Sequence, residues 1–142
     1  MKHGSITALT RALIEIAWFF GPKGASGRCC EDLAMPEFLA LVTIADLPDC
    51  PVQEIGAALG FTKSGATRIV DRLERKGYVT RVKSPDDARV CCVVITPRGR
   101  NILETTDARY QESLKAVLAR LPGEETPAVR KMITMLARAM RS

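Results

Sequence analysis

The sequence predicts a mainly α-helical fold with a small β-wing, in which a helix-turn-helix and two strands are flanked by helices from both chain ends. Three observations lead to this prediction. Apolar residues recur at helical spacing along most of the chain, a basic helix follows a tight turn at 60–61, and two strand-forming runs enclose a turn at 84–87. With 142 residues, the chain is expected to form a single domain over residues 1–142.

Three helices are expected in the first part of the chain. Residues 5–20 have apolar residues at helical spacing, and Gly21-Pro22 ends that pattern. Prolines at first-turn positions begin two further helices, one over residues 36–46 and a short one over residues 51–59. A connector rich in glycine and serine links the first helix to the second.

The next helix is the most informative one in the sequence. Thr62 is suited to cap its start, and the pattern ends at residues 76–77. One face has apolar residues at positions i, i+3, i+4 and i+7, which are Ala66, Ile69, Val70 and Leu73. The opposite face is polar and basic. A tight turn before such a helix is typical of a helix-turn-helix, whose second helix is the recognition helix.

Residue types change from helix formers to strand formers after the recognition helix. Residues 78–83 and 90–95 are expected to form a hairpin with a basic tip at Arg89, the wing. Thr96 and Pro97 then suit the start of a long helix, and a last helix begins at about residue 124. The predicted fold class is therefore a winged helix-turn-helix flanked by N- and C-terminal helices.

Positive charge is concentrated in the segment that contains the predicted recognition helix and wing. The whole chain has a net charge of +5, whereas residues 56–100 contain ten basic and four acidic residues, a net charge of +6. The remainder of the chain is slightly acidic. A local excess of positive charge on a small domain is typical of a protein that binds a polyanion such as DNA.

One extended motif spans the recognition helix, the wing and the start of the next helix. It comprises Thr62, Thr67-Arg68-Ile69-Val70-Asp71-Arg72-Leu73-Glu74, Gly77, Val79, Asp87-Ala88-Arg89 and Ile95-Thr96-Pro97-Arg98-Gly99. With this motif, residues 54–104 resemble the MarR family of bacterial transcriptional regulators. The resemblance implies a homodimeric regulator that binds double-stranded DNA. It also implies that the regulator is a repressor, which a small-molecule effector releases from its operator.

Several basic and hydroxyl side chains are candidates for DNA contacts. Residues near the start of a recognition helix approach base edges in the major groove, which selects Lys63, Ser64, Thr67 and Arg68. Three further basic residues are candidate phosphate contacts, which contribute affinity without sequence information: Lys76, Arg81 and Lys83.

The family resemblance adds roles for three more residues. It implies that Arg89 at the wing tip enters the adjacent minor groove, where a narrow groove concentrates negative potential. It also implies that Asp87 pairs with Arg72, which would join the wing to the recognition helix.

Apolar surface beyond the needs of a winged helix predicts the homodimer independently. The N-terminal helix and the two C-terminal helices are more apolar than a small winged helix can cover, and monomers rarely leave such stripes exposed. We expect a dimerisation lobe of residues 1–31 plus 97–142 and a DNA-binding lobe of residues 36–96. A two-fold dimer binds a palindromic operator with half-sites about one helical turn apart. The alternative is a three-helix lobe formed within one chain.

Five cysteines are present, and Cys29-Cys30 is the pair most suited to thiol chemistry. The pair follows Arg28 and a glycine-rich stretch, an environment that favours ionised thiols and soft metals. A thiol- or metal-responsive regulator that uses Cys29 and Cys30 is therefore an alternative, with the metal unknown. Cys91 and Cys92 are consecutive in a strand, so we expect one in the core and the other partly exposed.

Some MarR-family members bind small effectors between the dimerisation helices and the DNA-binding lobe. For this chain, that resemblance makes Trp18, Phe19 and Phe38 candidate lining residues of an effector pocket. Core packing is the equal alternative for these aromatic side chains.

Other classes of protein have little support in the sequence. A nucleophile elbow, a phosphate-binding glycine loop and a CxxC pair are absent, so we expect no enzyme and no required cofactor. Residues 6–20 contain Arg11 and Glu15, so they are expected to form neither a signal peptide nor a membrane span, and the protein is expected in the cytoplasm. A winged helix that binds another protein instead of DNA is the remaining alternative.

Overall fold

Helices make up most of the structure, a computed structural model that describes residues 4–21, 33–47 and 49–141. In chain order, the elements are α1 (Ile6–Phe20), α2 (Met35–Asp46), β1 (Cys50–Pro51), α3 (Val52–Leu59), α4 (Lys63–Arg75), β2 (Val79–Lys83), β3 (Cys91–Ile95), α5 (Pro97–Leu118) and α6 (Thr126–Ala139). The predicted winged helix-turn-helix is confirmed, with α4 as the recognition helix and β2 and β3 as the wing. Within the described residues, no helix is both long and apolar enough to cross a membrane.

Capping side chains set the helix boundaries that the sequence predicts. Thr62 Oγ1 accepts a hydrogen bond from the Gly65 N–H at 3.1 Å, and Thr96 Oγ1 accepts one from the Gly99 N–H at 3.0 Å. Gly60 ends α3 with a φ of 69°, a left-handed conformation that glycine adopts without steric cost. These caps place the turn between α3 and α4 and the start of α5.

The sheet has three antiparallel strands in the order β1-β3-β2. β2 and β3 form the predicted hairpin, with residues 79–83 opposite residues 91–95. β1 pairs with Cys92 and Val93 on the other edge of β3, and it was not predicted from the sequence. A strand of two residues has no periodicity of its own, and it forms because β3 offers unpaired backbone groups at that edge.

The hydrophobic core lies between α2, α3, α4 and the wing. Its fully buried members include Leu41, Ile55, Val70, Leu73 and Val93. Phe38 of α2 meets Tyr110 of α5 with the ring centroids 5.3 Å apart, which attaches α5 to the same core. The core therefore holds the recognition helix against α2 and the wing.

The helices α1 and α6 bury none of their described residues within the chain. The large apolar side chains left exposed are Ile6, Leu9, Leu13, Ile14, Ile16, Trp18 and Phe19 of α1, Met132, Ile133, Met135 and Leu136 of α6, and Met140 directly after α6. The alternative of a three-helix lobe closed within one chain is therefore wrong, because such a lobe would bury these side chains against one another.

Candidate nucleic-acid interface

The recognition helix has one buried face and one polar, exposed face. Its four predicted apolar residues are buried, and Lys63, Ser64, Thr67 and Arg68 are exposed in its first turns. Thr67 Oγ1 donates to the Lys63 carbonyl oxygen at 3.0 Å, and the hydroxyls of Thr62 and Ser64 lie 3.2 Å apart. These hydroxyl contacts are local to the start of the helix, and all four side chains are exposed.

Two surface depressions meet at the start of the recognition helix. An open one is lined by Thr62, Lys63, Ser64, Thr67 and Arg68. The second is a cleft of about 320 Å³ between the recognition helix, the wing and the start of α3, and its lining includes Lys63, Thr67, Arg81 and Arg89. Because Lys63 and Thr67 line both depressions, the structure brings six of the predicted DNA-contact residues onto one continuous surface.

Backbone hydrogen bonds order the turn at the wing tip. The Ser84 N–H donates to the Val90 carbonyl oxygen at 2.9 Å, and the Val90 N–H donates to the Asp87 carbonyl oxygen at 3.0 Å. The Asp87 carboxylate accepts the Arg89 N–H at 3.0 Å. Asp87 therefore orders the backbone that carries the exposed Arg89 side chain beside the cleft. Lys83, at the end of β2, is exposed as well.

Arg81 joins the wing to the recognition helix. Its guanidinium forms ion pairs with Asp71 and, at 2.8 Å, with Glu74, whose carboxylate also accepts the Arg81 N–H at 3.1 Å. Burial lowers the pKa of Arg81, but the hydrogen bonds to Asp71 and Glu74 and the charges of these carboxylates outweigh it and raise the pKa above its usual value. The phosphate contact predicted for Arg81 stays a prediction, and the two carboxylates compete with it.

Glu37 of α2 joins the other flank of the recognition helix. Its Oε1 lies 3.2 Å from Arg72 Nε, and its Oε2 lies 2.7 Å from Lys76 Nζ. The predicted pair between Asp87 and Arg72 is wrong, because Arg72 contacts Glu37 and Asp87 contacts the wing backbone. A family motif specifies which residue types occur along the chain, but it does not say which acid lies nearest to a given base in space.

Three acids that form ion pairs beside the recognition helix were not predicted from the sequence as functional residues. Asp71 and Glu74 belong to the family motif, yet in the sequence they only reduce the local positive charge. Glu37 has a detectable signal, because it is the only charged residue between Met35 and Ile44. A single carboxylate in an apolar helix indicates a partner elsewhere in the fold, since an unpaired buried charge is costly.

The cysteine predictions have different outcomes. Cys29 and Cys30 lie outside the described residues. Cys91 is exposed and Cys92 is buried, which confirms the prediction from the alternation of side chains along a strand. Within the described part of the chain, no three His, Cys, Asp or Glu side chains are grouped so that they could hold a metal ion.

The aromatic side chains predicted for an effector pocket occupy different environments. Trp18 is 67% exposed on α1, whereas Phe38 is 9% exposed and belongs to the hydrophobic core. The core alternative therefore applies to Phe38, whereas Trp18 and Phe19, which is 36% exposed, lie at the surface of α1. An effector pocket stays a prediction.

Comparison with known proteins identifies the family of the chain. The sequence model of the MarR family matches residues 33–91, from just before α2 to the first residue of β3. The chain is 30% identical over 111 residues to YfiV of Bacillus subtilis (strain 168), an uncharacterized HTH-type transcriptional regulator, and the match covers 78% of this chain and 69% of YfiV. It is 35% identical over 68 residues to the transcriptional repressor MprA of Escherichia coli (strain K12), a match that covers 46% of this chain and 39% of MprA.

A solved structure supports the same assignment over the full length of the chain. The fold is similar to that of a MarR family protein from Bacillus stearothermophilus, with a TM-score of 0.82, 25% sequence identity and coverage of 100% of this chain and 99% of that one. The chain therefore belongs to the MarR family, whose members are transcriptional regulators and not enzymes.

Proposed function

We propose that the protein is a sequence-specific DNA-binding transcriptional regulator, a cytoplasmic homodimer that represses transcription until a small-molecule effector releases it from a palindromic operator. The observation that carries this proposal is the continuous basic surface formed by the start of the recognition helix and the wing. The net charge of +6 over residues 56–100 supports it, because phosphates attract such a surface.

The exposed residues of this surface divide into base readers and backbone contacts. Lys63 and Arg68 donate to base edges in the major groove, where Arg pairs with guanine through two hydrogen bonds, and Ser64 and Thr67 make less selective contacts. Arg89 reaches into the adjacent minor groove from the ordered wing tip. Lys83 contacts phosphate. The support for these roles is the exposure of each side chain and, for all of them except Lys83, the shared surface at the start of the recognition helix.

The apolar surfaces of α1 and α6 support the homodimer. Burial of one large apolar side chain stabilises an assembly by about 1.5–3 kcal/mol, so the many apolar residues exposed on these two helices strongly favour association. A second copy of the chain presents the same surfaces, and a two-fold axis pairs each surface with its equivalent. Such a dimer would carry two recognition helices, which accounts for the proposed palindromic operator.

Repression and release by an effector rest on similarity to relatives. MprA, with which the chain shares 35% identity over 68 residues, is a transcriptional repressor. Release by a small molecule is proposed from the family resemblance of the whole chain.

The test is DNA binding measured by fluorescence anisotropy as salt is raised. We expect affinity for duplex DNA to fall at least ~10-fold between 50 and 200 mM salt, because each phosphate contact releases counterions. Arg89→Gln should lower affinity, whereas Arg120→Gln, which neutralises an exposed arginine beyond the end of α5, should not. Affinity that does not respond to salt would contradict the proposal and favour a protein-binding winged helix.

Two further measurements test the finer parts of the proposal. Light scattering should give twice the mass of one chain at micromolar concentration, and a monomer mass would contradict the dimer. Genome-wide mapping of fragments bound by the purified protein should recover a palindrome upstream of the regulated genes. Recovery of sites without two-fold symmetry would contradict the palindromic operator.

A further inference from the structure

Glu37 is a buried carboxylate whose two oxygens are each bound to a different cation of the recognition helix. The residue is 4% exposed, and it lies on α2, outside the surface proposed to touch DNA. Oε1 contacts Arg72 Nε at 3.2 Å, and Oε2 contacts Lys76 Nζ at 2.7 Å. Burial of an unpaired carboxylate costs free energy, so Glu37 is stable in this position only while its cationic partners are present. Loss of these contacts would therefore destabilise the fold.

The two cations point to α2 and not to the proposed DNA surface. Arg72 and Lys76 are one turn apart, so they lie on the same flank of the recognition helix. Neither residue lines the two depressions in which Lys63, Thr67 and Arg89 meet. Their side chains stay 47% and 30% exposed, so both could extend into solvent if Glu37 lost its charge.

Ion pairs also hold the opposite flank of the recognition helix, but there the helix supplies the acidic partners and the neighbouring element supplies the basic one. There the recognition helix supplies the carboxylates, Asp71 and Glu74, and the wing supplies the cation, Arg81. The recognition helix is thus joined by ion pairs to α2 on one flank and to the wing on the other.

We propose that Glu37 is a positioning residue for DNA binding, which fixes the recognition helix against α2 and withholds Arg72 and Lys76 from the phosphate backbone. The inference rests on the proposed DNA-binding function and changes the assignment of two residues within it. Phosphate contacts do not depend on DNA sequence. Because Glu37 holds two cations away from phosphates, DNA sequence specificity depends on a residue that does not touch DNA.

Glu37→Gln is the sharpest substitution, because it removes the charge and keeps the shape of the side chain. Glutamine has one acceptor oxygen, whereas Glu37 uses both of its oxygens. One of the two cations must therefore face the amide NH₂ group, which is itself a donor. The variant should loosen the flank and release at least one cation toward solvent.

The experiment measures the slope of log affinity against log salt concentration for the full-length protein on duplex DNA. Each phosphate contact contributes about −0.9 to this slope. Arg72→Gln and Lys76→Gln should leave the slope unchanged, whereas Arg68→Gln, the positive control, should flatten it. Glu37→Gln should steepen the slope by about 0.9 or more and reduce the preference for operator over unrelated duplex by ~10-fold, equivalent to about 1.4 kcal/mol.

The outcomes separate this inference from the proposed function. If Arg72→Gln or Lys76→Gln flattens the slope as much as Arg68→Gln does, or if Glu37→Gln leaves both slope and operator preference unchanged, the inference is overturned while DNA binding stands. A wild-type protein without salt-dependent DNA binding would overturn both. If Glu37→Gln does not fold, as judged by circular dichroism, the two cation variants decide the question alone.

Hydrogen exchange supplies a readout that needs no DNA. Glu37→Gln should speed amide exchange in the last turns of the recognition helix, next to Arg72 and Lys76, more than in its first turns. An increase in exchange rate over wild type that is equal in the first and last turns of the helix would contradict a positioning role for Glu37.

Discussion

Apolar side chains are buried in one region of this chain and exposed in another. In the winged-helix body, formed by α2 to β3, residues such as Leu41, Ile55 and Val93 are completely buried. In α1 and α6, no described residue is buried, although both helices carry large apolar side chains. The body therefore contains its own core, whereas the terminal helices present apolar surface that the described residues of one chain leave uncovered.

Polar contacts also differ between the winged-helix body and the two terminal helices, α1 and α6. Ion pairs join elements of the body across its recognition helix, through Glu37 on one flank and Arg81 on the other. Among the described residues, the side-chain hydrogen bonds in α1, α6 and the residues that flank them join side chains to backbone atoms three or four residues away. The body is therefore specified by contacts distant in sequence, and the terminal helices, within one chain, by local ones.

The largest effect is expected in the core of the body. Leu41→Ala should lower the free energy of unfolding by about 2–5 kcal/mol, because it removes buried contacts and leaves a cavity. Leu39, exposed on the same helix, is the matched control, and Leu39→Ala should cost under about 1 kcal/mol. Urea denaturation measures both variants. Equal losses at the two positions would contradict the burial difference within α2.

A second substitution tests the exposed region. Leu13→Glu places a charge in the apolar surface of α1 and should weaken association of two chains by about 1.5–3 kcal/mol for each leucine, at least ~10-fold in Kd. Thr7→Glu, also exposed on α1, is the control and should leave Kd nearly unchanged. Sedimentation gives Kd, and circular dichroism should show that helix content is retained. An unchanged Kd for Leu13→Glu would place the dimer interface elsewhere.

The start of α5 is where the long C-terminal helix meets the body. Gly99 lies so close to the wing that a Cβ at this position would overlap the Tyr78 carbonyl oxygen and lie 2.9 Å from Ile95 Cγ1. Gly99→Ala should therefore destabilise the protein by about 1–3 kcal/mol, despite the higher helix propensity of alanine. The control is Gly123→Ala, which meets no atom within 4 Å and should change stability by under about 0.5 kcal/mol. Thermal unfolding compares the two, and similar midpoints would refute the close approach.

The smallest effect is expected at the cap of the recognition helix. Thr62→Ala removes the acceptor for the Gly65 N–H and should lower the free energy of unfolding by about 1 kcal/mol. Thr105→Ala, in the interior of α5, is the control, because its hydroxyl donates only to the Asn101 carbonyl oxygen of its own helix. Urea denaturation distinguishes them. A greater loss for Thr105→Ala would show that the cap contributes little.

Local patterns in the sequence were enough to predict the elements and much of the proposed DNA surface. The apolar stripe from Ala66 to Leu73 predicted which face of the recognition helix is buried, and Thr62 and Thr96 predicted two helix starts. These features depend on neighbours within one or two helical turns, so they can be read along the chain. The two-residue strand β1 could not be predicted, because it exists only through its pairing with β3.

The partners of the charged residues required the three-dimensional structure. Family resemblance implied that Arg72 pairs with Asp87, but Arg72 pairs with Glu37, and Arg81 pairs with Asp71 and Glu74. Lys76 and Glu37 are separated by 39 positions. The sequence contains several acidic residues that could pair with each of these basic residues. The packing of α2 and the wing against the recognition helix selects among them.

Periodicity, capping and motif spacing are local properties of a chain. They were therefore enough to predict the order of the helices, the buried face of the recognition helix, the basic wing and the resemblance to the MarR family. The packing of the folded chain selects which charges are paired beside the recognition helix and which apolar helices stay uncovered. Pairing and burial depend on distances between elements far apart in sequence, and those distances exist only once the core has formed.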